Sequence, residues 1–283
     1  MKRRDVCLLT IFLTLLSAFL PDAIPGSLAD RADEAGCFLV DYAGAETFPE
    51  EFSRIDDPAQ RKQVLINLLL PMVLKANEDI IAQRLELQRI KKHHGHLAYT
   101  DRRFIEDLAQ AYRVEKGSPR DMLDELLVRV DVLPASLVLA QAALESGWGT
   151  SRFARQGNNV FGLRGPGGQG MTPGGRDPAC GFSLSTFGTL QECISYYLWT
   201  INTHGEYERL RKLRTREHTR YDPFLLARGL DGYSESGPAY VHKVLGMIRE
   251  NNLREYDSYR LRGIKDQRTA RISLTVSRLA GAS

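Results

Sequence analysis

The stretch from Pro134 to Arg164, PASLVLAQAALESGWGTSRFARQGNNVFGLR, constrains the fold more than any other part of the chain. Pro134 suits a first helical position, where its missing N–H costs nothing. Leu137, Val138, Ala140 and Leu144 recur at helical spacing and predict an inward stripe. Glu145 follows Gln141 by four residues and Val138 by seven, so it shares their face. Gly147 and Gly149 stop the helix, as glycine does past a helix C-terminus. A polar Asn158–Asn159 turn and an apolar Val160-Phe161-Gly162 strand start follow.

Glu is rarely fully buried, so a helix-end Glu ordinarily just reaches water. Here Trp148, Asn158, Asn159 and Phe161 would form a cleft wall with a few polar groups. A Glu half-desolvated in such a wall has its pKa raised, which suits a general acid near neutral pH.

Gln141-Ala-Ala-Leu-Glu145-Ser-Gly-Trp148-Gly-Thr-Ser, followed by Gly157-Asn-Asn159-Val-Phe161-Gly162, resembles the signature of glycoside hydrolase family 73 glucosaminidase domains. Leu230-Asp-Gly-Tyr233 and Tyr240-Val-His-Lys-Val are similar to that family's closing motif. A long helical region before the catalytic segment, with Pro71 and Asn77 placed as they are, is similar to the bacterial Bax-type subgroup. The resemblance covers residues 50 to 255 and is most specific over 137–162. It implies a mainly α, α+β lysozyme-like fold: a helical catalytic domain with a small β-hairpin or loop lobe, preceded by a helical extension. It also implies cleavage of the glycan strands of bacterial cell walls, with Glu145 as general acid. Tyr233 and Tyr240 are then expected to line the cleft opposite the acid, with Tyr233 orienting sugar and stabilising positive charge. Trp148, Asn159, Phe161 and Tyr240 are the expected substrate-binding residues.

The chain has 283 residues, 43% apolar and 26% charged, enough for a sizeable core. A formal net charge of +3 is too weak to argue for nucleic acid, yet does not repel an anionic wall polymer. No His/Cys spacing resembles a zinc site, and neither a metal nor an organic cofactor is expected. Peptidoglycan is the expected partner, and a monomer the expected state. Lys2-Arg3-Arg4 and the apolar run Val6–Leu20 read as an export signal, the run being shorter than the roughly 20 residues of a membrane span. Ser27-Leu28-Ala29 offers a cleavage site, and an uncleaved anchor is the competing reading. Export would place the protein in the periplasm or outside the cell. In an oxidising compartment Cys180–Cys193 is the natural disulfide once Cys7 is removed, with unpaired thiols at Cys37, Cys180 and Cys193 the alternative.

These readings divide the chain into a signal (1–29), a linker (30–58), a helical extension (59–130), a glucosaminidase domain (131–256) and a basic tail (257–283). Helical spacing predicts a long helix from Ala59 to Lys92 that Pro71 kinks or divides. Thr100 or Asp101 is expected to cap a helix to Arg113, Ser118 a helix opening on Pro119, and Thr189 a helix from Leu190 to Thr203. The glycine-rich run 163–181 reads as a loop at the cleft mouth, followed by a strand over Phe182–Phe187. The basic stretch between Arg209 and Arg220 reads as a solvated helix face. Another short helix is expected over Pro223–Leu230, and an amphipathic one carries Val241, Val244, Leu245 and Ile248.

Glycoside cleavage ordinarily uses two carboxylates. The family often places its second acid after the Asn-Phe-Gly turn, where this chain offers Asp177 alone between residues 163 and 188. Three routes stay open: Asp177 itself, the substrate's own N-acetyl group, or lytic transglycosylase-type cleavage with one acid/base. A non-catalytic peptidoglycan-binding protein is the rival class.

Overall fold

In the computed structural model, which describes residues 37–42, 45–93, 96–115, 117–164, 170–171, 183–216 and 221–262, the chain enters on strand β1 (Phe38–Val40). It pairs in parallel with strand β2 (Tyr259–Leu261), Phe38 opposite Tyr259 and Val40 opposite Leu261. A 3-10 turn at Glu50–Arg54 then buries Phe52. Residues 37–57 are therefore not the plain linker expected. The sheet partner lies more than 200 residues away, and Phe48 and Phe52 pack edge to face as a single pair, so neither leaves a period in the local sequence.

Helix α1 (Pro58–Lys92) opens at Asp57, whose carboxylate accepts from the N–H groups of Ala59 and Gln60. Pro71 does not divide it. Residues 65–74 are buried without interruption, and α1 packs on both the central and the Leu190–Thr203 helices. That burial outweighs the roughly 3 kcal/mol that an interior proline costs. Helix α2 (Tyr99–Ala111) starts after Ala98 with no side-chain cap, so neither Thr100 nor Asp101 caps it. Asp101 instead forms an ion pair with Arg89 of α1. Helix α3 (Pro119–Arg129) has the expected start: Ser118 Oγ accepts from Asp121 N–H, and Pro119 occupies the first turn.

Helix α4 (Ala135–Ser146) is the centre of the fold, with Pro134 just outside it rather than at its first helical position. It is buried on almost every side, wider than the single predicted stripe, because α1, helix α9 (Pro238–Glu250) and the 3-10 segment Leu253–Ser258 enclose it. Between them in sequence run α5 (Arg152–Gly157), α6 (Leu190–Thr203), α7 (Glu208–Arg216) and α8 (Pro223–Leu226), the last continued by a 3-10 turn at Ala227–Gly229. Thr189 and Glu192 form a full capping box at the start of α6.

The strands expected after α5 do not form among the described residues. Leu184 makes isolated antiparallel bridges to Arg164 and Met171. Ser185 N–H also bonds the Leu163 carbonyl, and the Asn159 amide donates to the Leu163 and Ser185 carbonyls at 2.8 and 2.9 Å. No helix among the described residues is long and apolar enough to cross a membrane. The segments read as signal and basic tail (from residue 263), and most of the glycine-rich run with Asp177 and Cys180, lie outside the described residues.

The basic stretch after Arg209 is not a uniformly solvated face. Arg211 and Arg214 of α7 are buried, at 4% and 1% exposure. Arg214 donates to the carbonyls of Val128, Arg129, Asp131 and Val132 and to Asn202 Oδ1. Its ionic partner Asp131 also accepts from Tyr221 Oη at 2.9 Å and lies 3.4 Å from Arg84. Removing one member of such a buried set leaves unpaired charge and carbonyls. Arg214→Leu is expected to lower the unfolding free energy by about 3–5 kcal/mol in urea titrations. Arg209→Ala, on the exposed side of α7, stays within about 0.5 kcal/mol of wild type.

Candidate active site

The site forms at the C-terminal end of α4. Gly147, Trp148 and Gly149 all have positive φ, at 57°, 56° and 77°, so the chain reverses out of the helix through three left-handed residues. At Gly149 a side chain is excluded as well: a Cβ there would lie 2.8 Å from the Phe52 ring and 2.9 Å from Phe48. Ser146 Oγ closes the turn, donating to the Ala142 carbonyl and accepting from Gly149 N–H. Trp148 is half-buried with Lys62 Nζ of α1 4.9 Å above its ring. The N-terminal segment thus packs directly against the turn that presents Glu145.

Glu145 is half-buried. Burial raises its pKa above the ordinary carboxylate value, opposed by a hydrogen bond from Tyr240 and by the Lys243 cation. Gly162 crosses over it, close enough that a Cβ there would lie 3.5 Å from Oε2. The loop carrying Gly162 is held from below. Asn159 accepts from Leu163 N–H at 2.9 Å while its amide donates as described. Phe161 stacks on Tyr197 with centroids 4.0 Å apart, and its carbonyl accepts from Tyr233 Oη at 2.8 Å. Cys193, a buried free thiol with a pKa pushed up to about 12 by burial, hydrogen-bonds to the Val160 and Phe161 backbone. Among the described residues Cys193 is therefore a packing element under this loop.

A tyrosine cluster faces Glu145. Tyr233 stacks on Tyr240 with centroids 5.2 Å apart, and Tyr207 and Tyr197 lie 6.0 and 6.4 Å from Tyr233. Gln141, one turn before Glu145, joins them: Tyr197 Oη donates to Gln141 Oε1, and Gln141 Nε2 donates to Tyr240 Oη at 2.9 Å. Burial raises the pKa of Tyr197, Tyr233 and Tyr240, and of Tyr207 to about 12, so all four are neutral phenols near pH 7.

Of the residues singled out from sequence, Tyr233 and Tyr240 lie close enough to Glu145 to feel its charge, while Trp148 packs under Lys62 in the turn that follows it. Asn159 and Phe161 do not face a cleft. Each is 1% exposed, with the Asn159 amide spent inside the loop and the Phe161 ring on Tyr197. Gln141 and Tyr197 were not singled out. A signal was present: each is a polar side chain on an otherwise apolar helical stripe, where a buried donor needs a partner. No group of His, Cys, Asp and Glu suited to a metal occurs among the described residues. A cavity of about 640 Å³ lies at the opposite end of α4, lined by Asn77, Glu78, Pro134, Tyr221 and Arg260. At about 1.5 Å rise per residue it is some 15 Å from Glu145 and is not part of this site.

The raised pKa fixes the sign of a stability effect. A carboxyl that holds its proton more tightly when folded stabilises the fold fully below its unfolded pKa of about 4.3, and loses that contribution as pH rises through the folded value. Glu145→Gln, which cannot ionise, is therefore expected to gain in melting temperature relative to wild type between pH 4 and pH 7. Melting curves at the two pH values check this, and a relative loss on going to pH 7 contradicts it.

The family model for glucosaminidase, described as mannosyl-glycoprotein endo-beta-N-acetylglucosaminidase, matches residues 121–253, a span holding α4, the Gly162 loop and the tyrosine cluster. Protein bax of Escherichia coli (strain K12) is 32% identical over 196 residues, which cover 68% of this chain and 70% of that protein. The crystal structure of the catalytic domain of the autolysin Auto from Listeria monocytogenes aligns over 60% of this chain and 94% of its own, at 20% identity and a TM-score of 0.34. That superposition is too loose to argue from. The relationship to bax and the family match over the site carry the assignment: this chain belongs to the glucosaminidase family and is a glycoside hydrolase of the endo-β-N-acetylglucosaminidase type.

Proposed function

We propose that the protein cleaves the β-1,4 bond after N-acetylglucosamine in peptidoglycan glycan strands, with Glu145 as the general acid. The observation that supports this best is a half-buried carboxyl, raised in pKa, held by one phenol and facing a loop glycine. Such a group keeps its proton closer to neutral pH than a solvated Glu and can deliver it to the leaving oxygen. Gly162, whose φ of 65° favours glycine, brings the loop backbone against the carboxyl, so that even a Cβ there would touch Oε2. Tyr233, partly exposed, stacks on the buried Tyr240 beside the acid, and its electron-rich face favours positive charge developing on the sugar ring. Trp148 supports the turn that carries the acid, and Tyr240 acts on Glu145 itself.

Attack on the sugar carbon needs a second group. Lys243, a cation, is the charge that acts on Glu145 among the described residues. A one-acid chemistry, in which the substrate's acetamido oxygen attacks and Glu145 serves as acid and then base, fits that arrangement. Asp177 is the protein's own candidate for the role. The substrate places the reaction outside the cytoplasm, in accord with reading residues 1–29 as an export signal.

Mass spectrometry of purified sacculi digested by wild type and Glu145→Gln tests this reading. Wild type is expected to release fragments with N-acetylglucosamine reducing ends, and Glu145→Gln to lose at least about 100-fold in rate. Anhydro-muramic ends would instead mean lytic cleavage; binding without release would mean a wall-binding protein; and an active Glu145→Gln would remove Glu145 from its role.

A further inference from the structure

We infer that Gln141 is a positioning residue: with Tyr197 behind it, it sets the direction of a hydrogen-bond chain Tyr197–Gln141–Tyr240–Glu145 and so decides which oxygen of Glu145 carries the acid proton. This rests on the reading of Glu145 as the acid.

The direction is fixed from the buried end. The Tyr197 hydroxyl is fully enclosed, and Gln141 is its hydrogen-bond partner among the described residues. A buried O–H left without an acceptor is costly, so Tyr197 donates and Gln141 turns Oε1 towards it. The other end of the amide, Nε2, must then face Tyr240 and donate to its oxygen at 2.9 Å. Nε2 cannot accept in return, so the Tyr240 O–H serves Glu145. The Glu145 oxygen that accepts from Tyr240 is the carbonyl-like one, and the proton sits on the other.

The alternative arrangement shows what Gln141 prevents. If Gln141 presented Oε1 to Tyr240 instead, Tyr240 would donate to it and protonated Glu145 could donate into the Tyr240 oxygen, turning the acid proton inward and away from substrate. Because Gln141 presents Nε2, which cannot accept, the Tyr240 proton is left for Glu145. The helix makes this geometry available, since residues 141 and 145 lie one turn apart on one face of α4. Tyr197 and Tyr240 come from α6 and α9, so the chain also ties three helices at the site.

The titratable groups facing Glu145 are Tyr240 and Lys243 from α9, Tyr197 from α6, Tyr207 from the 3-10 turn Gly205–Tyr207 and Tyr233 from the loop before α9. The tyrosines stay neutral, so Glu145 governs the basic limb of the activity profile, where a general acid is lost by ionising.

The test is the pH dependence of kcat/KM of the full chain on soluble peptidoglycan glycan chains. Tyr240→Phe keeps the ring stack and removes the bond to ionised Glu145, so the basic limb should move up by about one pH unit. Gln141→Met matches the side chain's length without a donor. It should move the limb in the same direction by less, and cut kcat/KM on the acid side about tenfold. Tyr197→Phe, which touches Gln141 but not the acid, should shift the limb likewise and serves if Gln141→Met folds poorly. The double variant Gln141→Met/Tyr240→Phe should match Tyr240→Phe alone. Gln141→Met and Tyr197→Phe proteins that melt lower but keep the wild-type limb overturn the inference, as does a double variant whose shifts add. An active Glu145→Gln, by contrast, defeats the proposed acid and not the chain.

Discussion

The buried guanidinium of Arg214 is the contact on which the placement of everything else depends. Helix α3 ends in the interior, so its last carbonyls lose water without gaining helical partners. Arg214 takes those of Val128 and Arg129, and Arg84 takes Leu127 and Val130. The same Arg214 holds Asp131 and Val132, the residues that lead into α4. A planar fork of donors suits this better than any other side chain. Burial lowers the Arg214 pKa to about 10, still far above neutrality, with Asp131 opposing the shift. The cation therefore persists in the core and fixes where α4 begins.

From that origin α4 is fastened along its length. Its first turn lacks a cap of its own, and Asp257 supplies one from the far end of the chain, accepting from Ser136 N–H and Oγ at 2.8 Å each. Its last turn is closed by Ser146 and by Phe48 and Phe52 packed against Gly149. A helix held at both ends and buried between them has little freedom to tilt, and a carboxyl at its terminus inherits that rigidity. Positioning of this kind matters for proton transfer, where displacements of about 1 Å cost orders of magnitude in rate. The extension before residue 131 is thus part of the site's support: α1 covers α4, and Lys62 sits over Trp148.

Much of this was legible in the sequence wherever the physics is local. Ser118 and Thr189 announce their helices because a cap and its N–H groups lie within four residues. The inward face of Glu145 follows from helical spacing alone. What escaped are the features set by distant partners. Pro71 reads as a break unless the burial of both flanks is known. Arg211 and Arg214 read as solvated because nothing nearby in sequence shows that α3 ends in the core. Asn159 and Phe161 belong to the site's motif, yet their side chains face inward, since a tight loop over Glu145 needs its own floor. Gln141 and Tyr197 sit 56 residues apart and meet only after α6 packs behind α4.

The tyrosine cluster narrows the chemistry further. Four phenols surround one carboxyl, and burial pushes every one of them away from ionisation. None can act as a base near neutral pH, so the cluster orients hydrogens and presents aromatic faces but does not activate water. Tyr233 has its proton committed to the Phe161 carbonyl, and Tyr240 has its own committed to Glu145. In the proposed reaction the nucleophile must then come from beyond this cluster, from the substrate's acetamido group or from the segment that holds Asp177. One acid and a neutral wall, all that the described residues bring to the site, suit a substrate that carries its own nucleophile, as an N-acetylated sugar does.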